Sequence, residues 1–429
     1  MSSKRRIILA ATLIVAGLSG CTAGPWATLQ QSKASNLNAL DLADLPLDKL
    51  PDEILVVPAT RSRAPQQITF QNSAVLHVSP SETFPAFLAF LSNAKRSIYL
   101  ETFSFGNDAM GDKIVPILLE KAKEGLEVKL NMDYMGSRFL AGHKDIVAKL
   151  RAGGVDVRVY RPRTVRKENR VLGLNITHRK VYLVDGETAL IGGVNLHHPF
   201  ELTTQDVLIQ WKGPVVAQLY NEYATDWHLG GGGTLRQTAS VSPQGGVSAQ
   251  VLVTSPGEGR FEARDAINAA VDGAKSEILV EQQYFWDDLL IGKLHAAIKR
   301  GVKLRVMVPS FEGNSIFKNI HTEELKKLVD EGAEARIYRG NPSDAHLHVK
   351  YISVDDRWAT VGSVNGDTRG MTDNQELDTA TTDPQLIGQL RQRLFERDWA
   401  NFSLPFVYQP ARGVMRPFRS LLEALDYYL

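Results

Sequence analysis

The sequence repeats one order of segments twice, and this internal repeat limits the possible folds strongly. Residues 124–130 read EGLEVKL and residues 300–306 read RGVKLRV, each a helix end, a Gly stop and an apolar strand. Residues 154–160 and 332–338 match in the same way, GVDVRVY against GAEARIY. Because helices alternate with short apolar strands, we expect an α/β fold of two pseudo-symmetric repeats. Each repeat should have a central mixed sheet flanked by helices, with an active site at their interface.

The repeat also sets the predicted domain boundaries. We place the first repeat at residues 76–229 and the second at 248–407, joined by a Gly-, Ser- and Gln-rich linker at 230–247. A polar segment at 21–75 is predicted to be a tether and an arm over the domain surface, and residues 408–429 a C-terminal tail. Since the two halves can pack on each other, we expect a monomer with an internal pseudo-dimer.

Residues 1–20 are typical of a secretory signal peptide rather than of a folded segment. A basic start precedes an apolar run at 7–18, which is too short to span a bilayer. The next residues, LSGC, end at Cys21 and resemble the lipobox of bacterial lipoproteins, in which the Cys carries acyl chains. The resemblance implies that Cys21, the only cysteine, anchors the protein to a membrane outside the cytoplasm. Thr22 in place of Asp favours an outer-membrane or other cell-envelope location.

Each repeat carries the same polar motif at the same place. Both motifs read HxKxxxxD, followed after six residues by G-[GS]-V-N. The matching positions are His178, Lys180, Asp185 and Asn195 in the first repeat, and His348, Lys350, Asp355 and Asn365 in the second. A single match arises by chance in roughly a few per cent of chains of this length. Here two matches share the same spacing to the downstream Gly and Asn, and they lie at matching places of a repeat that other segments also show. This combination indicates that the motif has a function.

The residue types in this motif suit chemistry at a phosphodiester. A His and a Lys two positions apart on a strand point to the same face. Two repeats together offer two ammonium groups which, with the amides of Asn195 and Asn365, hold the non-bridging oxygens. One neutral His attacks phosphorus, and the other, protonated, donates to the leaving oxygen. We expect no metal and no cofactor, because the two Lys take the charge-neutralising role.

The remaining acids receive two different interpretations. Asp185 and Asp355 lie five positions past each Lys, on the opposite strand parity, so we interpret them as structural acids at turns. Each imidazole also needs a carboxylate that sets its tautomer. Asp206 and Glu376 each follow a motif His by 28 residues, and we predict them to be these orienting acids. The alternatives are a solvated acid near a strand end and a merely hydrogen-bonded structural His.

These motifs resemble those of the phospholipase D superfamily and, within it, of bacterial cardiolipin synthases. The resemblance covers about residues 76–407 and includes Asn374-Gln-Glu376 in the second half. It implies a phosphatidyl-enzyme intermediate with His178 as nucleophile and His348 as acid, followed by transfer to an alcohol or water. It also implies that the orienting acids act across the pseudo-twofold. Cardiolipin synthases usually carry transmembrane helices, whereas this chain has only the predicted lipid anchor.

Three functions remain open from the sequence. The first is a phospholipid transphosphatidylase or hydrolase, whose anchor places the site at its phospholipid substrate. The second is a nuclease of the same superfamily, although a net charge of +1 and the anchor disfavour nucleic acid as a partner. The third is a non-enzymatic envelope protein that binds lipid, which the two intact His–Lys sets disfavour.

Overall fold

The computed structural model describes residues 54–57, 67–138, 140, 142–162, 176–200, 202–236, 238–240, 242–310, 315–340 and 346–408. The predicted signal peptide, the lipidation site Cys21 and nearly all of the predicted C-terminal tail lie outside the described residues, and these stay predictions. In the part of the chain that is described, no helix has the length and apolarity needed to cross a membrane.

The elements alternate between strands and helices through both halves. The strands are β1 (Ile54–Val57), β2 (Thr69–Val78), β3 (Ser97–Thr102), β4 (Glu127–Asp133), β5 (Asp156–Pro162), β6 (Val181–Val184), β7 (Thr188–Gly192), β8 (Thr204–Gln205), β9 (Val207–Lys212), β10 (Val247–Ser255), β11 (Arg260–Phe261), β12 (Glu277–Gln282), β13 (Lys303–Pro309), β14 (Glu334–Tyr338), β15 (His346–Leu347), β16 (Lys350–Val354), β17 (Trp358–Gly362), β18 (Glu376–Thr381) and β19 (Ser403–Pro405). The α-helices are α1 (Pro80–Ser92), α2 (Gly111–Lys123), α3 (Tyr134–Arg138), α4 (His143–Ala152), α5 (Pro214–Leu229), α6 (Glu262–Gly273), α7 (Asp288–Lys299), α8 (Ser315–Asp330), α9 (Pro384–Leu390) and α10 (Arg397–Asn401). Two π-helical segments span Arg369–Asp373 and Arg391–Glu396.

The strands of each half form a mixed sheet with one common order. The first half reads β1-β5-β4-β3-β6-β7-β9-β2. The second reads β19-β14-β13-β12-β16-β17-β18-β10. Three strands pair in parallel in each half, β3, β4 and β5 in the first and β12, β13 and β14 in the second. The other strands of the two sheets pair antiparallel, except β1, which pairs parallel with β5. This shared order confirms the predicted α/β fold of two repeats.

The two sheets join edge to edge through the strands that begin each repeat. β2 pairs antiparallel with β10 on one side and with β9 on the other. This placement corrects the arm interpretation for residues 69–75, whose backbone hydrogen bonds belong to the sheet. The corresponding strand of the second half, β10, begins at residue 247, next to the predicted boundary at 248.

Three apolar clusters hold the layers together. One lies under the helices of the first half and includes Phe87 and Ile114, and its counterpart in the second half includes Ile267 and Leu294. The third contains buried side chains from both halves, among them Trp211 of the first half and Phe395 of the second. Burial of such side chains contributes about 1.5–3 kcal/mol each, so this shared cluster fixes one repeat against the other.

Candidate active site

The two motif histidines lie side by side where the two halves meet. The ring centroids of His178 and His348 are 6.4 Å apart, and their planes make an angle of 61°. His178 lies shortly before β6 and His348 shortly before β16, the strands that occupy the same place in the two sheets. Both residues are buried, with 7% and 5% exposure. A single phosphorus atom fits between two imidazoles at this separation.

Each histidine segment is held by the backbone of the opposite half. The N–H of His178 donates to the carbonyl of Gln375 at 2.8 Å, and the N–H of His348 donates to the carbonyl of Gln205 at 2.9 Å. The second contact extends the short parallel pairing of β15 with β8, and an equivalent bridge joins Thr177 to Gln375. In each half, the residue after the paired Gln is the predicted orienting acid. The pairings therefore place each acid close to the histidine of the opposite half.

The two predicted orienting acids lie on the histidines of the opposite halves. Both carboxylate oxygens of Glu376 lie 3.0 Å from Nδ1 of His178. Oδ2 of Asp206 lies 2.8 Å from Nδ1 of His348. When Nδ1–H donates to a carboxylate, the lone pair or proton at Nε2 is available for the reaction. The structure thus brings all four residues together across the pseudo-twofold.

Burial controls the charge of these groups. Burial raises the pKa of Asp206 to about 7 and that of Glu376 to about 7, although the two lysine charges oppose the rise. Burial, and then the charges of Lys180 and Lys350, hold the pKa of His178 well below its usual value. The pKa of the His348 imidazole is lowered by the same causes. A neutral imidazole is the nucleophilic form, so the site favours attack on phosphorus.

The two ammonium groups lie in the same buried region. Nζ of Lys180 donates to the carbonyl of His178 at 2.6 Å, and Nζ of Lys350 donates to the carbonyl of His348 at 2.6 Å. Burial lowers the pKa of Lys350 to about 8, with Asp206 and Glu376 opposing the fall. Burial also lowers the pKa of Lys180 well below its usual value. A bound phosphodiester anion would stabilise the charged form of both lysines.

We expect kcat/KM for a phosphodiester substrate to follow a bell-shaped pH profile with its maximum between about 7 and 8. Below that range, protonation of Asp206 and Glu376 removes the acceptors from the two Nδ1 atoms. Above it, Lys350 loses its proton and with it the attraction for the phosphate oxygens. Initial rates measured from about pH 5 to about pH 10 at constant ionic strength test this. A flat profile across that range would contradict it.

Asn195 and Asn365 lie at equivalent places in the two repeats, three residues after β7 and β17. They are 4% and 5% exposed, and Oδ1 of each has no hydrogen-bond partner among the residues that the structure describes. A buried polar atom without a partner costs free energy, and native proteins keep few of them. The role of Asn195 and Asn365 in binding phosphate stays a prediction.

Asp185 and Asp355 face away from the histidines and bind backbone. Asp185 accepts from the N–H groups of residues 95–97, and Asp355 accepts from those of residues 275–277. Both acids adopt a positive φ, +58° and +56°, in the turns after β6 and β16. They tie each turn to the start of β3 or β12, a placement consistent with the structural role that their strand parity predicts.

We expect Asp355→Ala to lower the free energy of unfolding by about 0.5–1.5 kcal/mol, because the N–H groups of residues 275–277 lose their shared acceptor. Urea unfolding near neutral pH measures this, and Asp355→Asn, which keeps one acceptor oxygen, should lose less. Burial raises the pKa of Asp355, but the N–H groups of Glu277 and Ser276 lower it to about 2. The stabilisation is therefore present above the ordinary value of 3.8 and is lost as pH falls through about 2. Equal urea midpoints for the wild-type protein, Asp355→Ala and Asp355→Asn would contradict this structural role.

Arg179, the middle residue of the first motif, is part of the site although the sequence did not single it out. It is fully buried, donates to Asp226, and lies 3.7 Å from Glu222. Its Nε donates to the backbone carbonyl of Glu376 at 3.2 Å, so it also supports the acid that orients His178. The sequence did offer one sign of a special role for Arg179. The middle residue of the second motif is the apolar Val349, so the two motifs differ at this position.

Comparison with known proteins places this architecture in a family. The sequence model of the family described as "Cardiolipin synthase, PLD-like domain" matches residues 87–227 and 267–399. These ranges cover more than half of the chain and include both HxKxxxxD motifs.

Two curated relatives carry related names. Cardiolipin synthase A of Pseudomonas entomophila is 29% identical over 335 residues, which are 75% of this chain and 68% of that protein. The major cardiolipin synthase ClsA of Bacillus subtilis is 28% identical over 334 residues, again 75% of this chain and 68% of the relative. The chain therefore spans about two thirds of the length of these relatives.

Solved structures share the fold at low sequence identity. Phosphatidylserine synthase of Haemophilus influenzae superposes with a TM-score of 0.64 at 15% identity, covering 92% of this chain and all of that one. Polyphosphate kinase of Porphyromonas gingivalis superposes with a TM-score of 0.54 at 15% identity, covering 83% of this chain and 54% of that one. The sequence resemblance is confirmed by the family match, and this chain belongs to the phospholipase D-like family of enzymes described as cardiolipin synthases.

Proposed function

We propose that this protein transfers a phosphatidyl group from a phospholipid to an alcohol, as a cardiolipin synthase does, through a covalent phosphohistidine. The observation that carries this proposal is the pair of facing histidines, each held at Nδ1 by the acid of the opposite half. The names of the curated relatives support the phospholipid as substrate. Water in place of the alcohol would make the same site a phospholipid hydrolase.

In the first step, Nε2 of His178 attacks phosphorus from the side opposite the head-group oxygen. The N–P bond forms while the P–O bond to the head alcohol breaks, and His348 gives its proton to that oxygen. Entry of the anionic phosphodiester counteracts the lysine charges that lower the pKa of His348, so this imidazole can hold a proton. Asp206 stabilises the imidazolium while it exists.

In the second step, the acceptor alcohol occupies the place that the head alcohol left. Its O–H gives a proton to His348 while its oxygen bonds to phosphorus and the N–P bond to His178 breaks. One phosphodiester is exchanged for another, so the reaction needs no nucleotide. The ammonium groups of Lys180 and Lys350 stabilise the charge that develops on the non-bridging oxygens in both steps.

We also propose that the protein works outside the cytoplasm, anchored to a membrane through acyl chains on Cys21. The basic start, the short apolar run and the LSGC sequence support this location. Labelling of cells with a radioactive fatty acid tests it. Label should enter the wild-type protein and not Cys21→Ala, and equal labelling of both would contradict the anchor.

Vesicles of phosphatidylglycerol provide the direct test of the proposed activity. The purified protein is incubated with them and the products are followed by mass spectrometry, with His178→Ala as the control. Cardiolipin and glycerol indicate transfer, and phosphatidic acid indicates hydrolysis. Release of nucleotides from plasmid DNA without any lipid conversion would favour the nuclease alternative. Conversion that persists in His178→Ala would contradict the proposed mechanism.

We expect Asp206→Asn and Glu376→Gln each to lower kcat by about 10²- to 10⁴-fold, because an amide can hold the imidazole in the wrong tautomer. Both variants keep the size of the side chain, so the unfolding midpoint should change little. Steady-state kinetics with phosphatidylglycerol measure the effect. Because the two acids occupy equivalent positions, wild-type kcat in either variant would contradict the cross-repeat arrangement.

A further inference from the structure

Each repeat buries a pair of acids at matching positions. Glu101 on β3 and Glu281 on β12 each lie opposite the residue that follows a motif Lys. Asp226 and Asp398 stand in the matching sequences YATDW and FERDW near the end of each repeat. All four side chains are at most 1% exposed, and none takes part in the proposed steps. Because a buried carboxylate needs a countercharge or a proton, each pair requires one of the two.

An arginine supplies the countercharge in the first repeat. Arg179 is fully buried and donates to Asp226. Burial, and then the charge of Asp226, raise the pKa of Glu101, and the charge of Arg179 opposes the rise. Oε1 of Glu101 also accepts from the hydroxyl groups of Thr177 and Tyr160, both at 3.2 Å. The first pair therefore has a cation and two hydroxyl donors.

The pair of the second repeat is arranged differently. Val349 occupies the position of Arg179. In the described part of the chain, neither oxygen of Glu281 accepts a hydrogen bond from a nitrogen or a hydroxyl group. The carboxyl group of Glu281 instead lies at hydrogen-bonding distance from that of Asp398. Two carboxyl groups can form such a bond only when one of them holds a proton.

The other titratable groups around this pair lie on three sides. Nε of Arg397 lies 3.5 Å from Oδ1 of Asp398, so its charge offsets that of Asp398. The phenol of Tyr351, opposite Glu281 on β16, stays protonated because burial raises its pKa. Arg305 on β13 is paired with another acid of the second half. The cation nearest the pair therefore lies on Asp398 and not on Glu281.

Electrostatics place the proton on Glu281. Burial, and then the negative charge of Asp398, raise the pKa of Glu281 well above its usual value, and the charge of Asp206 adds to the rise. Arg397 opposes the rise without cancelling it. Glu281 is thus the neutral acid of the pair, and Asp398 is the carboxylate.

Asp398 connects this pair to the active site. Its Oδ2 accepts from Nε2 of Gln205 at 2.7 Å. The backbone carbonyl of Gln205 accepts from the N–H of His348 at 2.9 Å. The next residue is Asp206, whose carboxylate lies on Nδ1 of His348. The buried pair therefore holds the segment that holds His348.

We propose that Glu281 and Asp398 share one proton and together position His348, the general acid and base, through the side chain of Gln205. This inference rests on the proposed function. The O–H of Glu281 donates to the carboxylate of Asp398, which keeps an oxygen for the amide of Gln205. Loss of the shared proton puts two carboxylates in contact, and their repulsion displaces Asp398 from Gln205. Both acids are positioning residues, because neither touches the reacting atoms.

The first repeat offers a matched comparison on the side of the nucleophile. The hydroxyl group of Tyr160 donates to Oε1 of Gln375 at 2.9 Å. The residue after Gln375 is Glu376, which lies on His178. A phenol takes the place that the carboxylate of Asp398 has in the second repeat. Support for the nucleophile therefore needs no shared proton.

Bis(p-nitrophenyl) phosphate separates the two sides of the site. Its leaving group departs without an acid, so the full-length protein needs His348 only in the second step, when a base activates water. Asp398→Ala should release the first equivalent of p-nitrophenol within about twofold of the wild-type rate. Later turnovers should slow about 10- to 100-fold, the scale of one lost hydrogen bond to a charged group. Tyr160→Phe should instead slow the first release, about two- to tenfold. Equal slowing of both phases by Asp398→Ala would overturn the link to His348.

Urea unfolding tests the shared proton independently of activity. Because the pKa of Glu281 is raised in the folded protein, its contribution to stability is full below the ordinary value of 4.5 and is lost as pH rises through the folded value. Glu281→Gln keeps a donor for Asp398 and has no proton to lose. Its unfolding midpoint should therefore rise relative to the wild type as pH increases from about 5 to about 9. Glu120→Gln, at an exposed position on α2, should differ from the wild type by a constant amount.

A difference between Glu281→Gln and the wild type that does not change with pH would overturn the shared proton. Glu281→Gln should also keep at least about half of the wild-type turnover near neutral pH, whereas Glu281→Ala should lose about tenfold. If the wild-type protein releases p-nitrophenol but converts no phospholipid, the proposed function fails. The two phases of p-nitrophenol release and the urea midpoints then still decide whether the acid pair positions His348.

Discussion

His178→Ala is expected to lower kcat for phosphatidyl transfer by about 10⁴- to 10⁶-fold, the scale seen when a catalytic nucleophile is removed. The variant lacks the imidazole nitrogen that forms the N–P bond. His348 remains, but no second imidazole then faces it across the site. Glu376 keeps hydrogen bonds from Ser363 at 2.5 Å and from Asn374 at 3.3 Å, so its carboxylate is not left without donors. Steady-state rates with phosphatidylglycerol vesicles measure the loss.

A histidine outside the site serves as the control for this variant. His295 lies on α7 and pairs with Glu331 at 2.7 Å, at the surface of the second repeat. His295→Ala should retain the wild-type kcat, because it removes an imidazole without touching the reacting atoms. Retention of activity by His178→Ala, with His295→Ala equally active, would show that the chemistry takes place elsewhere.

Arg179→Met is expected to lower the free energy of unfolding by about 3–5 kcal/mol, the range for removing one partner of a buried ion pair. The guanidinium is fully buried against Asp226 and Glu222, and its loss leaves these carboxylates without their countercharge. The hydrogen bond to the Glu376 carbonyl is lost as well, so kcat should also fall. Urea unfolding near neutral pH, followed by tryptophan fluorescence, measures the change in stability.

An exposed ion pair provides the comparison for Arg179. Arg96 and Glu187 lie 2.5 Å apart with both side chains about half exposed. Glu187→Ala should change the free energy of unfolding by less than about 0.5–1 kcal/mol, because solvent screens such pairs. If Arg179→Met unfolds at the same urea concentration as Glu187→Ala, then Arg179 does not hold the buried carboxylates.

The sequence could group the candidate site residues because the repeat supplied each observation twice. The shared spacing from His178 to Asp206 and from His348 to Glu376 predicted that these two acids lie beside the histidines. Spacing alone does not say which acid meets which histidine, since that depends on how the halves face each other. The resemblance to phospholipase D enzymes implied a crossed arrangement, and the structure has Glu376 on His178 and Asp206 on His348.

Other features could not be predicted from local patterns. Residues 69–75 of β2 belong to the polar segment that the sequence predicts to be an arm, because that segment shows no strong period. Their place in the sheet comes from backbone bonds to β9 and β10. Arg179 is charged and stands in a strand-like motif, where exposure is the ordinary expectation. Its burial depends on acids from α5, which follow it by more than forty residues. Contacts of this kind depend on how a helix packs on the sheet of its own half, which local patterns do not show.

Mapping of the covalent intermediate tests the central claim, that two histidines flank one phosphorus and His178 bonds to it. His348→Ala is incubated with bis(p-nitrophenyl) phosphate, whose leaving group departs without an acid, and peptides are then examined by mass spectrometry under alkaline conditions that preserve phosphohistidine. We expect a nitrophenylphosphoryl group on His178 and no adduct when His178 is also replaced by Ala. An adduct on His348 in the wild-type protein, or one on any residue other than His178 in the variant, would contradict the account.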